Sequence, residues 1–486
     1  MEVTLRVIKN YLYNLMYQIF TIILPIITIP YVSRILGAGG LGRYALTNAY
    51  AQYFVLFGML GLSVYSSREI AFVRDDNEKL SRTFWEINLL RFITVGLSLI
   101  FYIVIFGIII DSSYKMVYII QALVVLSSLV DISWLFIGLE NFKKVVIKNT
   151  LVKLIGVILI FVFVKNDSQL WIYTLILGGT EFIGQVIMWF DIPSNINFIL
   201  PKKESLIIHI RYSIRLFIPQ IAINVYTMLD KVMLGALVNE SQVGMYDNSQ
   251  KIIKILITVV TTLAIVTIPK MSNLYKNKKY EEFNNNVYKS FSFVSFVAFP
   301  MTFGLIGVCR SFVPWFYGKG FEGIVPMFYI GSFLMITLGW SSILGNQVLI
   351  SIKREKQFTI AVTAGAIINV IFNIILINKY EGVGTTISSV IAEYVGMFLM
   401  VYYLRDILDI RRLFKPVGKY LISSLIMFSI IWTMCSNMNA TILNSIILVL
   451  VGGGIYLTIM IKIKDENLLY GYNFIKSVLK NKTKRK

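Results

Sequence analysis

Long apolar segments alternate with short polar ones along the whole 486-residue chain. Each apolar segment is long enough to cross a membrane as an α-helix, which takes about 20 residues, and too long to be a strand. The pattern therefore predicts an all-α polytopic membrane protein with about fourteen transmembrane helices. The predicted helices cover residues 11–36, 44–66, 84–110, 115–138, 145–164, 170–190, 211–237, 243–269, 287–310, 323–350, 357–378, 382–404, 417–436 and 441–463.

Composition supports a membrane protein, because 57% of the residues are hydrophobic and 15% are charged. Soluble domains carry about 25% charged residues. The net charge of +20 suggests nucleic-acid binding at first sight. However, most lysines and arginines fall in the loops on one side of the predicted helices, as the positive-inside rule requires for cytoplasmic loops. We therefore expect no nucleic-acid partner, and we place both termini in the cytoplasm.

The segment RILGAGGLGRYALTN (34–48) matches the G-x-G-x-x-G pattern of nucleotide-binding turns through Gly37, Gly39 and Gly42. That pattern needs a short strand before the glycines and an acidic residue about 20 positions after them. Here an uncharged, helix-length segment precedes the glycines, and another follows them. We interpret them as a turn between two membrane helices, and no nucleotide motif supports an ATP-driven permease.

The glycine-rich turn has a counterpart in the second half of the chain. RILG (34–37) aligns with VMLG (232–235), and GRY (42–44) aligns with GMY (244–246). Spans 1–6 and 7–12 therefore form two parallel repeats, an arrangement that suits a transporter whose lobes rock around a central cavity. The predicted domains are an N-lobe of spans 1–6 (1–192), a cytoplasmic linker (193–210), a C-lobe of spans 7–12 (211–404), and spans 13–14 with a basic cytoplasmic tail (405–486).

Charged residues inside predicted spans are the first candidates for function, because burial of a charge in a membrane is unfavourable. Lys231 lies in span seven, and Lys251 and Lys254 lie in span eight. Their charges predict an anionic substrate group in a hydrated cavity. The alternative is a structural ion pair between Asp230 and Lys251, with lysines that extend to the membrane surface.

Other intramembrane polar residues form a second group of candidates. Arg91 is a further candidate for the anionic group, although it could also contact lipid phosphates. Acidic residues could carry a coupling proton or sodium ion, or could pair with Lys153 or line a hydrated wall. Amide side chains suit sugar hydroxyls and serve equally well in contacts between helices. The acidic candidates are Asp230, Asp131, Glu181 and Glu393, and the amide candidates are Gln18, Gln52 and Asn224.

Metal, cofactor and enzyme chemistry find little support in the sequence. The single histidine, His209, has no nearby cysteine or acidic cluster, so a structural role is favoured. Cys309 and Cys435 are more simply unpaired thiols than a disulfide. The longest predicted outer loop, Arg310–Glu322, is short for a catalytic domain. We therefore expect no cofactor, no metal and no enzymatic activity.

Several motifs resemble the polysaccharide-transport branch of the multidrug/oligosaccharidyl-lipid/polysaccharide exporter superfamily, which includes the Wzx-type flippases of O-antigen and capsule repeat units. The resemblance covers nearly the whole chain and is strongest over spans 1–3 and 7–8. The motifs are NLMYQ (14–18), SRILG (33–37), GLGRY (40–44), SREIA (67–71), LDKVMLG (229–235), VGMYDNSQKI (243–252) and IPKMS (268–272).

The resemblance implies that an undecaprenyl-diphosphate-linked oligosaccharide moves from the inner to the outer leaflet of the bacterial cytoplasmic membrane. It also implies alternating access driven by a proton or sodium gradient, with membrane lipids and a polysaccharide polymerase complex as further partners. Lys231, Lys251 and Lys254 would then bind the diphosphate. The alternative function is a small-molecule or multidrug cation antiporter of the same superfamily, which would favour acidic residues in the cavity.

Overall fold

The structure is a computed structural model that describes the backbone of residues 2–469. Within this range, the side chains of some residues lie outside the description. These are residues 2–19, 21–22, 142, 144, 203, 218–220, 222–226, 262–266 and 269. The described residues form helices and connecting turns without strands, which confirms the predicted all-α polytopic class.

Sixteen α-helices follow one another along the described chain. The helices of the first half are α1 (Glu2–Met59), α2 (Leu62–Val73), α3 (Asn77–Tyr102), α4 (Lys115–Val130), α5 (Ser133–Gly138), α6 (Phe142–Phe163), α7 (Leu170–Trp189) and α8 (Lys203–Leu237). Those of the second half are α9 (Glu240–Lys276), α10 (Tyr280–Tyr317), α11 (Ile324–Gly331), α12 (Leu334–Ser341), α13 (Glu355–Leu404), α14 (Ile410–Phe414), α15 (Val417–Ser436) and α16 (Ile442–Lys462). Short π-helices, Ile103–Ile109 and Ser342–Leu349, follow α3 and α12.

Ten helical segments of the described residues are long and apolar enough to cross a membrane, so the chain is a multi-pass membrane protein. Two of them, Ile23–Met59 and Glu355–Leu404, each contain a non-helical residue where the sequence predicts a turn between two spans. The helices α8 and α9 contain side chains outside the description. A total of fourteen spans therefore stays a prediction.

Contacts within the chain define two compact units, Met1–Gly244 and Met245–Lys486. The first unit includes α8 and the start of α9. The second unit includes most of α9 and all later helices, and α15 and α16 pack on α10 within it. The predicted lobe boundaries at 192 and 211 stay a prediction.

The glycine-rich turn of the first unit is closely packed. Gly37 interrupts α1 with φ 64° and ψ 179°, a conformation that is essentially restricted to glycine. A Cβ atom built on Gly42 would lie 1.6 Å from the carbonyl oxygen of Glu240, and one on Gly244 would lie 2.0 Å from that of Ala38. Gly42 and Gly244 are the residues that the internal repeat aligns, and here each lies against the backbone of the other's turn.

Glu381 interrupts α13 with φ 52° and ψ −131°, a region that disfavours residues with a side chain. Its side chain is exposed, so removing it loses little packing. We expect Glu381→Gly to stabilise the protein by about 1 kcal/mol through relief of this strain. Thermal unfolding of the purified protein in detergent measures the change. Glu355→Gly, in the first turn of the same helix, is the control and should destabilise, since glycine is a poor helix former.

Small residues bring α6 and α7 together in the first unit. A Cβ atom on Gly156 would lie 2.9 Å from Thr180 Cγ2, and one on Gly184 would lie 3.3 Å from Asn149 Oδ1. Membrane helices use small residues in this way to approach closely. The contact places the polar side chains of both helices beside each other.

The single histidine lies in a buried cluster of polar side chains. His209 Nδ1 lies 2.7 Å from the Tyr65 hydroxyl, and His209 Nε2 lies 3.1 Å from Glu86 Oε2. All three residues are buried. They connect α2, α3 and α8 within the first unit. Cys309 and Cys435, in the second unit, are free thiols, as expected.

Candidate functional site

The first element of the candidate site is the break between α4 and α5. Asp131 adopts an extended conformation there, and its Oδ1 accepts a hydrogen bond of 2.7 Å from the Ser133 backbone N–H. Its backbone carbonyl accepts a bond of 2.9 Å from Trp134 Nε1. The break therefore holds a half-buried carboxylate within a predicted membrane span.

A cavity of about 490 Å³ lies between α1, α6 and α7, and we call it the α6–α7 cavity. Its polar lining side chains are Thr28, Tyr44, Asn149, Lys153, Tyr173, Thr180, Glu181 and Gln185. The Tyr44 and Tyr173 rings meet edge to face, with their centroids 5.1 Å apart. Leu24, Val152 and Ile160 form part of the apolar wall. The cavity thus presents both aromatic and hydrogen-bonding surface.

A neighbouring cavity of about 280 Å³ shares Glu181 and Gln185 with the α6–α7 cavity, and we call it the Asp131 cavity. It is also lined by Gln52 and Asp131, so the structure brings together three residues that the sequence suggested separately. Glu181 lies within electrostatic range of both Lys153 and Asp131. The Gln185 Oε1 atom is buried and has no hydrogen-bond partner among the described residues.

Arg91 is fully buried on α3 and does not line either of these cavities. Its guanidinium carbon lies 5.6 Å from the centre of the Trp134 ring, and its Nη2 donates to Asn88 Oδ1. It also lies within electrostatic range of Asp131. The Nε and Nη1 atoms have no hydrogen-bond partner among the described residues. In this conformation Arg91 is enclosed by protein, and its predicted contact with a diphosphate stays a prediction.

The neighbouring charged residues of α8, Asp230 and Lys231, differ in how deeply they are buried. Asp230 is 2% exposed and lies within electrostatic range of Tyr53, whereas Lys231 is half-buried. The predicted role of Asp230 in ion coupling stays a prediction.

The lysines of α9 differ in their surroundings. Lys251 Nζ lies 2.7 Å from Asp247 Oδ2, one helical turn earlier on the same helix. The structure therefore gives Lys251 an acidic partner that the sequence analysis did not consider beside Asp230. Lys254, one turn further along, has an exposed side chain.

For the remaining site residues suggested by the sequence, the structure gives little or no information on contacts. Glu393 is half-buried on α13 in the second unit. The side chains of Gln18 and Asn224 lie outside the described residues, so their predicted contacts with sugars stay predictions.

Sequence reasoning missed most of the α6–α7 cavity. Asn149 and Lys153 on α6, and Glu181 and Gln185 on α7, are each spaced four residues apart, which places each pair on one helix face. This four-residue spacing is the feature of the sequence that could have indicated a polar face on each of the two helices. The sequence alone does not say that the two faces meet.

The sequence of this chain matches the models of two known protein families. Residues 7–275 match the family model described as polysaccharide biosynthesis protein, and residues 151–452 match that of the lipid II flippase MurJ. The chain belongs to the polysaccharide biosynthesis protein family. This result confirms the resemblance to the polysaccharide-transport branch, and it indicates a transporter rather than an enzyme.

Among curated relatives, a candidate O-antigen transporter of Escherichia coli K12 is 22% identical, over 82% of this chain and 96% of the relative. A candidate O-antigen transporter of Shigella dysenteriae is 25% identical, over 78% of this chain and 94% of the relative. A candidate low-salt glycan biosynthesis flippase of Haloferax volcanii is 22% identical over 43% of this chain and 44% of the relative.

Solved structures establish the fold of this polysaccharide biosynthesis protein. The inward closed conformation of the lipid II flippase MurJ superposes with a TM-score of 0.72 at 17% identity, covering 94% of this chain and 99% of that one. An inward-facing multidrug transporter of the MATE family gives a TM-score of 0.62 at 12% identity, covering 79% of this chain and 95% of that one. At these identities the likeness concerns the fold alone.

Proposed function

We propose that this protein is a flippase that moves an undecaprenyl-diphosphate-linked oligosaccharide repeat unit, of O-antigen or capsule type, from the inner to the outer leaflet. The observation that carries the proposal is the pair of family matches, which together extend over residues 7–452. We place the protein in the bacterial cytoplasmic membrane, with both termini in the cytoplasm, because most of its basic residues lie in loops on one side.

The chemistry of the substrate explains the need for a cationic surface. A diphosphate carries negative charge that hydrocarbon does not solvate, so it needs fixed positive groups along its path. Lys251 and Lys254 lie one turn apart on α9, and Lys254 is exposed. In this proposal these two lysines bind the diphosphate in the second unit, and Lys231 is a further candidate in the first.

An ion gradient is the proposed energy source, because the glycine motif of α1 is a turn rather than a nucleotide site. The carboxylates able to take up a proton or sodium ion are the buried Asp230, the half-buried Asp131 and Glu393, and Glu181 in the α6–α7 cavity. A proton is the simplest ion for Asp230, since protonation removes a charge from a buried site.

Deletion of the gene tests the function directly. Lipid-linked repeat units should accumulate on the inner leaflet of the deletion strain, and the wild-type gene should restore their delivery. Lys254→Glu should restore less than about one tenth of it, since a reversed charge opposes the diphosphate by more than about 1.4 kcal/mol. The measurement is the fraction of lipid-linked glycan accessible to a hydrolase or lectin outside spheroplasts.

Lys276→Glu, in the last turn of the same helix, is the matched control and should restore delivery fully. Normal delivery in a deletion strain that lacks related transporters contradicts the proposed function. Full delivery by Lys254→Glu contradicts the proposed diphosphate site and leaves the function intact.

A further inference from the structure

The α6–α7 cavity contains polar groups that the proposed diphosphate site does not use. Asn149 and Lys153 project from α6, and Thr180, Glu181 and Gln185 project from α7, all between helices of membrane-spanning length. Polar and charged groups at such positions are unfavourable unless water or a ligand solvates them. The buried Gln185 Oε1, which lacks a hydrogen-bond partner among the described residues, adds an acceptor that a ligand could satisfy.

The charges of the cavity argue against a diphosphate ligand. Lys153 and Glu181 carry opposite charges and lie within electrostatic range of each other. Asp131, in the adjoining cavity, adds a second carboxylate within range of Glu181. A diphosphate would meet two carboxylates beside one ammonium group, so repulsion would offset its attraction to Lys153.

The hydrogen-bonding groups fit hydroxyl and N-acetyl groups instead. The oxygens of Asn149, Gln185 and Glu181 accept hydrogen bonds, while the amide nitrogens and the Lys153 ammonium group donate them. A sugar hydroxyl both donates and accepts, so it can bond to both kinds of group at once. An uncharged sugar adds no charge beside Lys153 and Glu181, so it leaves their mutual attraction undisturbed.

The aromatic and apolar side chains of the cavity also suit a sugar. Tyr44 and Tyr173 present ring surface with a polar hydroxyl on each, and Leu24, Val152 and Ile160 line the cavity beside them. The C–H face of a pyranose packs on aromatic rings, while its hydroxyls point to the polar side chains. The volume of about 490 Å³ lies within the roughly 300–1,000 Å³ typical of ligand pockets.

We propose that the α6–α7 cavity is a sugar-binding subsite that recognises an uncharged, hydroxyl- or N-acetyl-bearing residue of the lipid-linked glycan. This inference rests on the proposed function and deepens it. It separates recognition of the glycan, in the first unit, from binding of the diphosphate by the lysines of α9. The subsite thereby gives the flippase selectivity for its own glycan.

Two lipids test the subsite with the purified full-length protein in nanodiscs. The first is the native lipid-linked glycan from the deletion strain, and the second is sugar-free undecaprenyl diphosphate. The wild type should bind the glycosylated lipid at least about tenfold more tightly, a difference of roughly 1.4 kcal/mol. Asn149→Leu and Gln185→Leu should each reduce this preference to less than about twofold while affinity for the sugar-free lipid stays unchanged, since each removes hydrogen bonds to the sugar.

Gln121→Leu is the matched control, because Gln121 is a buried amide of the same unit that bonds to Asn48 and Thr47 outside the cavity lining. It should keep the tenfold preference. Thr180→Val removes one cavity hydroxyl at nearly constant volume and provides a second test if a leucine variant fails to fold. It should lower the preference at least threefold.

The outcomes separate the two proposals. Equal binding of both lipids by the wild type, or an unchanged preference in all cavity variants, overturns the subsite while the flippase function stands. Failure of the wild type to bind either lipid overturns the proposed function. Loss of the preference in Gln121→Leu as well as in the cavity variants also overturns the subsite, since the effect then reflects general destabilisation.

Discussion

Gly42→Ala is expected to destabilise the protein by roughly 3 kcal/mol or more and to abolish transport. The added Cβ would lie 1.6 Å from the Glu240 carbonyl oxygen and 2.5 Å from its carbonyl carbon. Both are backbone atoms, which cannot move aside as the end of a side chain can. In Gly42→Ala, therefore, either the contact between residue 42 and the Glu240 backbone is lost or the turn of α1 moves. Thermal unfolding in detergent and delivery of lipid-linked glycan measure the two effects.

Gly39→Ala, three residues earlier in the same turn, is the control. Its Cβ would meet one atom within 4 Å, the Ser241 hydroxyl oxygen at 3.4 Å, so stability should change by less than about 1 kcal/mol. Gly244→Ala should behave like Gly42→Ala, because its Cβ would lie 2.0 Å from the Ala38 carbonyl oxygen. Equal stability of Gly42→Ala and Gly39→Ala would show that the two turns do not pack this closely.

Lys251→Met is expected to destabilise the protein by about 2 kcal/mol. Lys251 Nζ lies 2.7 Å from Asp247 Oδ2, and the Asp247 side chain is 8% exposed. Removing the ammonium group leaves a nearly buried carboxylate without this ion pair. The estimate is below the range for fully buried pairs because the Lys251 side chain is 35% exposed. Chemical or thermal unfolding of the purified variant gives the value.

Asp247→Asn combined with Lys251→Met should recover most of the lost stability, because no charge then stays behind. Transport should stay low in the double variant, since Lys251 is also a proposed ligand of the diphosphate. Lys279→Met, which breaks an exposed pair with Glu282, should change stability by less than about 1 kcal/mol. A double variant with full transport assigns Lys251 a structural role alone.

Membrane-spanning segments could be predicted from the sequence because hydrophobicity and length are local properties. The apolar segments coincide with helices such as α6 and α7, and the predicted turns coincide with Gly37 and Glu381. The sequence favoured a structural role for His209, because it places no metal-binding residues near it, and that role stays a prediction. Its partners Tyr65 and Glu86 come from distant segments, and the sequence did not indicate them.

Site residues were predicted less completely, because a charge within a span marks importance and does not name its neighbours. Arg91 was selected by its charge, yet it is buried against Trp134. Lys251 was considered beside Asp230, whereas Asp247 on its own helix is an ion-pair partner. Lys153 entered the sequence analysis only as a possible partner of acidic residues, although it lines the α6–α7 cavity.

By itself, the sequence determined the helical class, the positions of the apolar segments and the resemblance to polysaccharide transporters. Each of these follows from the order and type of residues along the chain. The tertiary structure decided that Asn149, Lys153, Glu181 and Gln185 share a cavity, and that Gly42 lies against Glu240. These facts depend on which helix faces pack together, and that packing is set by shape complementarity between segments far apart in sequence.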